Sequence, residues 1–174
     1  MAQLTKTEFE TFRKFISNIE LVDVLVVEEN MKKYDISPSN KLKVTLNQKD
    51  FNFYLEEDLV THIKYVVAVK SGRSNYFKLE VSFEIRFTVN DFEFVKETLG
   101  NKNVFEFFQK FQIPKITWPY LRAETQHATS KAGMKPFTLP FLKWNVIRKI
   151  MEKIMYALSE THSLLFGFYE DKVL

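Results

Sequence analysis

Few residues of this chain are of a type that does chemistry unaided. His62, His127 and His162 lie far apart in sequence, and none stands in an HExxH or nucleophile-elbow context, so neither a zinc hydrolase nor a serine hydrolase is suggested. Glu56-Glu57-Asp58 is the densest run of carboxylates. Adjacent acids can share a proton or hold a hard cation, but between two extended segments this run reads as a solvated strand end. Gly72, Gly100, Gly133 and Gly167 are isolated from one another, which removes both the P-loop and the dinucleotide fingerprint. Cysteine is absent, and with it disulfides, thiolate metal sites and thiol nucleophiles. No cofactor and no metal is expected, and no motif proposes an enzyme.

Chemistry being scarce, composition turns attention to surfaces. The 174 residues suit a single domain spanning 1–174, and 45% apolar with 27% charged residues excludes disorder and rods. Phenylalanine occurs 18 times, so aromatics build either the core or an exposed apolar binding surface. The amino end lacks an apolar signal core and no run is long enough to span a bilayer, so no membrane insertion is expected and the expected location is the cytoplasm. Up to Leu99 there are 14 basic and 16 acidic residues, and from Gly100 onward 11 and 6. The basic second half could attract nucleic acid or an acidic peptide; no zinc finger, RNP signature or helix-turn-helix supports nucleic acid.

The elements that must position such a surface follow from periodicity. Thr5 and Glu8 have capping-box spacing, Leu4 and Phe9 hydrophobic-staple spacing, and Phe9, Phe12, Ile16 and Ile19 share a stripe, which predicts a first helix. Ile19 to Val27 is β-branched and apolar on both faces, as in a strand covered on two sides or lying at a subunit contact. Lys32 to Asn40 reads as a polar crossover loop in which Tyr34 and Ile36 are unexpected apolar members. Leu42 to Leu46 and Ile63 to Val69 read as strands, and after a turn at Gly72 the run Phe77 to Val89 alternates cleanly, as in an antiparallel sheet with one covered face. A short buried helix from Val104 to Phe111 is expected to end at Pro114. Pro119 is expected to open a polar helix from Tyr120 to Lys131 closed by Gly133, and a long amphipathic helix is predicted from Leu139 to Leu165. The sum is an α+β fold, a four-stranded antiparallel sheet with helices packed on one face, an extra N-terminal helix and a long C-terminal one. Leu121, Thr125, Ala128 and Ala132 give the polar helix only a narrow small-residue stripe, which predicts that it needs company beyond the monomer core. Arg122, expected in its first turn, would oppose the helix dipole and so calls for an acidic partner.

Between Ile113 and Pro140 the chain runs I-P-K-I-T-W-P-Y-L-R-A-E, then a polar helix, then G-M-K-P-F-T-L-P. This resembles the export chaperone SecB and its SecB-like relatives, with Pro114, Ile116, Trp118, Pro119, Tyr120, Arg122, Gly133, Pro136, Leu139 and Pro140 at the matching positions. The resemblance implies an ATP-independent holdase that binds non-native or nascent polypeptides, for export or for one dedicated client such as an antitoxin. It also implies a homotetramer built as a dimer of dimers, with the polar helix between two sheets. Two departures stand out: the helix after Pro119 is one residue longer than the usual pattern, and the charge is basic where the export chaperone is acidic. Partnership with the motor SecA, which uses that acidity, is therefore not carried over. In the family the crossover loop, the inter-helix loop and the last helix form an apolar groove; the residues here that would line it are Tyr34, Ile36, Phe137, Phe141, Trp144 and Ile147. Binding modules for nucleic acid are the competing class, and the two differ in how steeply salt weakens binding.

Overall fold

A computed structural model describes residues 4–36 and 42–139. Contacts divide the chain after Leu139, and the elements below belong to the first of the two units. Helix α1 (Lys6–Ser17) begins with the expected capping box: Glu8 N–H donates to Thr5 Oγ1 at 3.2 Å and Thr5 N–H donates to Glu8 Oε2 at 2.8 Å. Four long strands follow, β1 (Ile19–Lys33), β2 (Leu42–Leu55), β3 (Asp58–Ser71) and β4 (Ser74–Val89). They form one antiparallel sheet in the order β1-β4-β3-β2, so the chain between β1 and β2 must cross from one sheet edge to the other.

Register explains the alternation of β4. Leu59, Ile63, Tyr65, Val67 and Val69 of β3 stand opposite Phe87, Phe83, Val81, Leu79 and Phe77, and all of these are buried on the inner face. Lys78, Glu80, Glu84 and Arg86 take the other face. Ser71 pairs with Ser74 across a two-residue loop whose Gly72 has φ +63°, the positive value that tight hairpins ask of the first loop residue. β2 runs on past the expected Leu42 to Leu46, through the polar run Asn47 to Asp50 and into Phe51, Phe53 and Leu55, which alternate again, and Glu56-Glu57 makes the turn beyond it.

After β4 come α2 (Phe92–Gly100), α3 (Lys102–Phe107), a π-helical turn (Phe108–Gln112) and α4 (Ile113–Lys131). Asp91 and Asn101 cap α2 and α3. Pro114 and Pro119 do not end and restart a helix as their types predict: Pro114 falls in the first turn of α4 and Pro119 inside it. The π-turn has already shifted the hydrogen-bond register immediately before Pro114, so its missing N–H interrupts no regular ladder. Pro119 has no N–H to donate to the carbonyl of Lys115, and both residues lie at the surface.

The phenylalanines form a seam between the helices and one end of the sheet. Phe12 meets Phe107 at 4.9 Å between ring centroids, Phe15 meets Phe108 at 5.1 Å, and Phe108 meets Phe87 of β4 at 5.8 Å, all edge-on. Phe53 of β2 reaches Phe105 at 4.5 Å. Edge-to-face pairs of this kind contribute about 0.5–1.5 kcal/mol each beyond their burial.

Candidate functional site

The polar helix lies on its own sheet. Ile113, Thr117, Leu121, Thr125 and Ala128 recur every three or four residues along α4 and are fully buried, with Thr129 beside them. The narrow stripe expected to be too weak for this is made adequate by the threonines. Thr117, Thr125 and Thr129 each donate their hydroxyl to the carbonyl four residues earlier, at 3.0, 2.7 and 2.9 Å. With the oxygen satisfied inside the helix, each threonine buries at little polar cost. Tyr65 of β3 completes the join, its hydroxyl 2.8 Å from Thr117 Oγ1. Because Thr117 spends its proton on Ile113, Tyr65 is the donor, and burial pushes its phenol up to about 12.

α4 ends as the sequence predicts. Gly133 has φ +66°, Gly133 N–H donates to the Ser130 carbonyl and Met134 N–H to that of Thr129, a Schellman arrangement. The segment after it is fastened at several points: Lys33 Nζ donates to the Ala132 carbonyl, Phe137 N–H to Thr129 Oγ1, and Arg122 Nε to the Leu139 carbonyl at 2.9 Å. Arg122 therefore stands mid-helix rather than in a first turn, and the dipole argument for an acidic partner falls away.

This strapping leaves a cavity of about 290 Å³ between the segment and the sheet, lined by Leu42, Val69, Tyr76, Met134, Lys135, Pro136 and Phe137. Its walls are apolar apart from Lys135. Tyr34 N–H donates to the Tyr76 carbonyl at 3.0 Å, which sets the start of the crossover beside the groove, and Ile36 follows two residues on, more than a third exposed. The structure puts Phe137 and Pro136 in the groove wall and joins Tyr34 to the wall residue Tyr76 through its backbone, while Tyr34 and Ile36 are not themselves wall residues; Phe141, Trp144 and Ile147 lie outside the described residues, as does Pro140. Of the other motif positions, Pro114, Ile116 and Trp118 are half-buried on α4, Pro119 and Tyr120 are exposed, and Leu139 is buried. Leu42, Val69, Tyr76 and Met134 are wall residues that sequence alone did not single out. A weak signal existed for Leu42, at the start of an alternating run.

Elsewhere the surface divides by chemistry. The outer face of the sheet carries ion pairs: Lys64 reaches Glu80 at 3.1 Å and Glu28 at 3.6 Å, Lys78 also meets Glu80, and Arg86 and His62 meet Glu84 at 3.2 and 3.7 Å. Lysine contacts hold the Glu80 carboxyl below the usual range, Lys78 most, and Glu80 holds the Lys64 ammonium above its own. Edge strand β1 exposes Leu21, Val22, Leu25, Val26, Val27 and Met31. Among the described residues no group of three or more metal-ligating side chains is found, and no helix is long and apolar enough to cross a membrane.

No protein-family model matches the chain, and no curated protein sequence matches it. Among solved structures, the Mycobacterium tuberculosis SecB-like chaperone Rv1957, in complex with a ChAD peptide from the HigA1 antitoxin, superposes with a TM-score of 0.62 at 11% identity. The match covers 77% of this chain and 97% of that one. At that identity the likeness is one of fold: this chain has a SecB-like fold.

Proposed function

We propose that the chain is an ATP-independent, SecB-like holdase that binds non-native or newly made polypeptides through the groove between Leu42, Val69, Tyr76 and the segment Met134 to Phe137. The observation that carries this is the apolar cavity, held open by the strapped segment, on a fold shared with a chaperone solved with a peptide bound. Burying one apolar side chain is worth about 1.5–3 kcal/mol, so a single groove binds weakly and reversibly, which suits release without nucleotide. Several grooves on one particle would supply avidity. The exposed apolar residues of β1 support an oligomer, for which we propose the homotetramer, a dimer of dimers. Nothing in the groove calls for a cofactor, and the protein is proposed to act in the cytoplasm.

The test is suppression of aggregation of a chemically unfolded client, with and without ATP, for the full chain and for Phe137→Ala with Leu42→Ala. Suppression that needs no ATP and weakens in the double variant, with melting temperature little changed, supports the groove. Strict ATP dependence, or loss of stability without a selective binding defect, refutes it. Light scattering at micromolar concentration tests the tetramer, and a monomer mass counts against it. A second reading, a dedicated chaperone for one antitoxin, is favoured by the peptide in the solved neighbour. It predicts tight binding to one native partner and poor suppression of general aggregation.

A further inference from the structure

We propose that the outer edge of β2 pairs with an extended polypeptide segment in which acidic and apolar residues alternate, adding it to the sheet as a fifth strand. This rests on the holdase reading above and specifies the class of client. β2 is last in the strand order, and no described strand lies on its far side. From Leu42 to Lys49 its register against β3 is unbroken, Leu42 opposite Ser71 and Lys49 opposite Lys64, and it ends at an irregularity where Asp50 takes a positive φ of 46°. That is a straight template of about 26 Å at roughly 3.3 Å per residue.

The two faces of the template differ. Leu42, Val44 and Leu46 share the inner face with Val69 and Val67, and Leu42 and Val69 are groove walls, so an added strand would send alternate side chains toward the groove side. On the outer face Lys43 stands directly opposite Lys70, and Lys49 opposite Lys64. Like charges directly opposite repel, and a carboxylate on an adjacent strand offsets that repulsion. Lys64 has Glu28 and Glu80, whereas Lys43, Lys49 and Lys70 meet no carboxylate among the described residues. The missing counter-charges belong on the next strand outward. The opposite edge cannot substitute, since β1 carries Glu20, Asp23, Glu28 and Glu29 and has two register irregularities.

The experiment measures binding of labelled peptides of about eight residues to the full chain by fluorescence anisotropy. One alternates glutamate and valine, one has the same composition in two blocks, and one alternates lysine and valine; a single-stranded oligonucleotide of similar length is the fourth probe. The alternating acidic peptide should bind best and slow amide exchange over residues 42–49. Lys43→Glu with Lys49→Glu should weaken it about tenfold and let the lysine peptide bind. Both lysines are exposed and the change relieves repulsion, so the variant should fold. Equal binding of the block peptide would overturn strand pairing. Tighter, lysine-dependent binding of the oligonucleotide would reassign the surface to nucleic acid. No peptide binding by a chain that still suppresses aggregation would reduce the lysines to guards against edge-to-edge association and leave the holdase reading standing.

Discussion

Thr117→Val tests whether the polar helix is held to its own sheet by the bond described. The substitution keeps shape and removes only the hydroxyl, which is fully buried between the Ile113 carbonyl and the Tyr65 phenol. The Ile113 carbonyl keeps its helical N–H partner, but the Tyr65 O–H loses its acceptor in a dry setting, at a cost of about 1–3 kcal/mol. Tyr65→Phe removes the donor instead; Thr117 can still donate to Ile113, so the expected cost is only about 0.5–1.5 kcal/mol. In the double variant no buried polar group is left unpaired, and its stability should approach that of Tyr65→Phe alone. The rescue is the informative quantity, a coupling of about 1 kcal/mol or more between the two sites. Urea denaturation gives it directly, and a chain of this size should shift its melting temperature by roughly 2–4 °C per kcal/mol. If Thr117→Val is neutral, or if the two changes simply add, the helix is not anchored through this pair.

Gly133→Ala should destabilise by about 1 kcal/mol in thermal melts, all of it from the positive φ, because a Cβ there would meet no atom within 4 Å. Tyr65 has a folded value of about 12 against 10.0 for the free side chain, so stability should be intact below pH 10 and fall by about 3 kcal/mol as pH rises toward 12; Tyr65→Phe should abolish that portion of the slope. Asn103 and Thr5 hold the Glu8 carboxyl below its free value of 4.5, and Lys110 does the same for Glu106, so these groups stabilise above that pH and the benefit disappears as pH falls below it. Thr5→Ala should cost about 1 kcal/mol at pH 7 in urea melts and flatten part of that acid slope.

What could be foreseen depended on how many neighbours an element has. β4 is an interior strand with one covered face, so Phe77 to Val89 had to alternate and was legible at once. The first helix was equally plain because its capping box is local, and Gly133 because a helix stop needs a positive φ at one place. α4 was misjudged for a chemical reason. Hydropathy counts Thr117, Thr125 and Thr129 as polar, but each satisfies its hydroxyl against its own helix, and the stripe then buries as an apolar one does. Pro119 misled too: its type usually marks a helix boundary, but here it stands inside α4 on the exposed side.

The groove escaped the sequence for a topological reason. An edge strand need not bury either face, and β2 shows its alternation in two pieces, Leu42 to Leu46 and Phe51 to Leu55, separated by the polar run Asn47 to Asp50, so only the first piece reads as a strand, although its first residue lines the cavity. The remaining walls come from the end of β3, the start of β4 and the segment after α4, whose separations along the chain are fixed by hairpin and helix lengths and not by any local repeat. Phe137 could be picked out because it clusters in sequence with Phe141 and Trp144 in the inter-helix segment to which the family resemblance points. Val69 could not, since within β3 it looks like any other core valine, and only the register that sets it opposite both Val44 and Phe77 shows that it sits where the sheet meets the strapped segment. A groove wall made from an ordinary core residue becomes visible only when the covering element stops short of it, and Gly133 is where α4 stops.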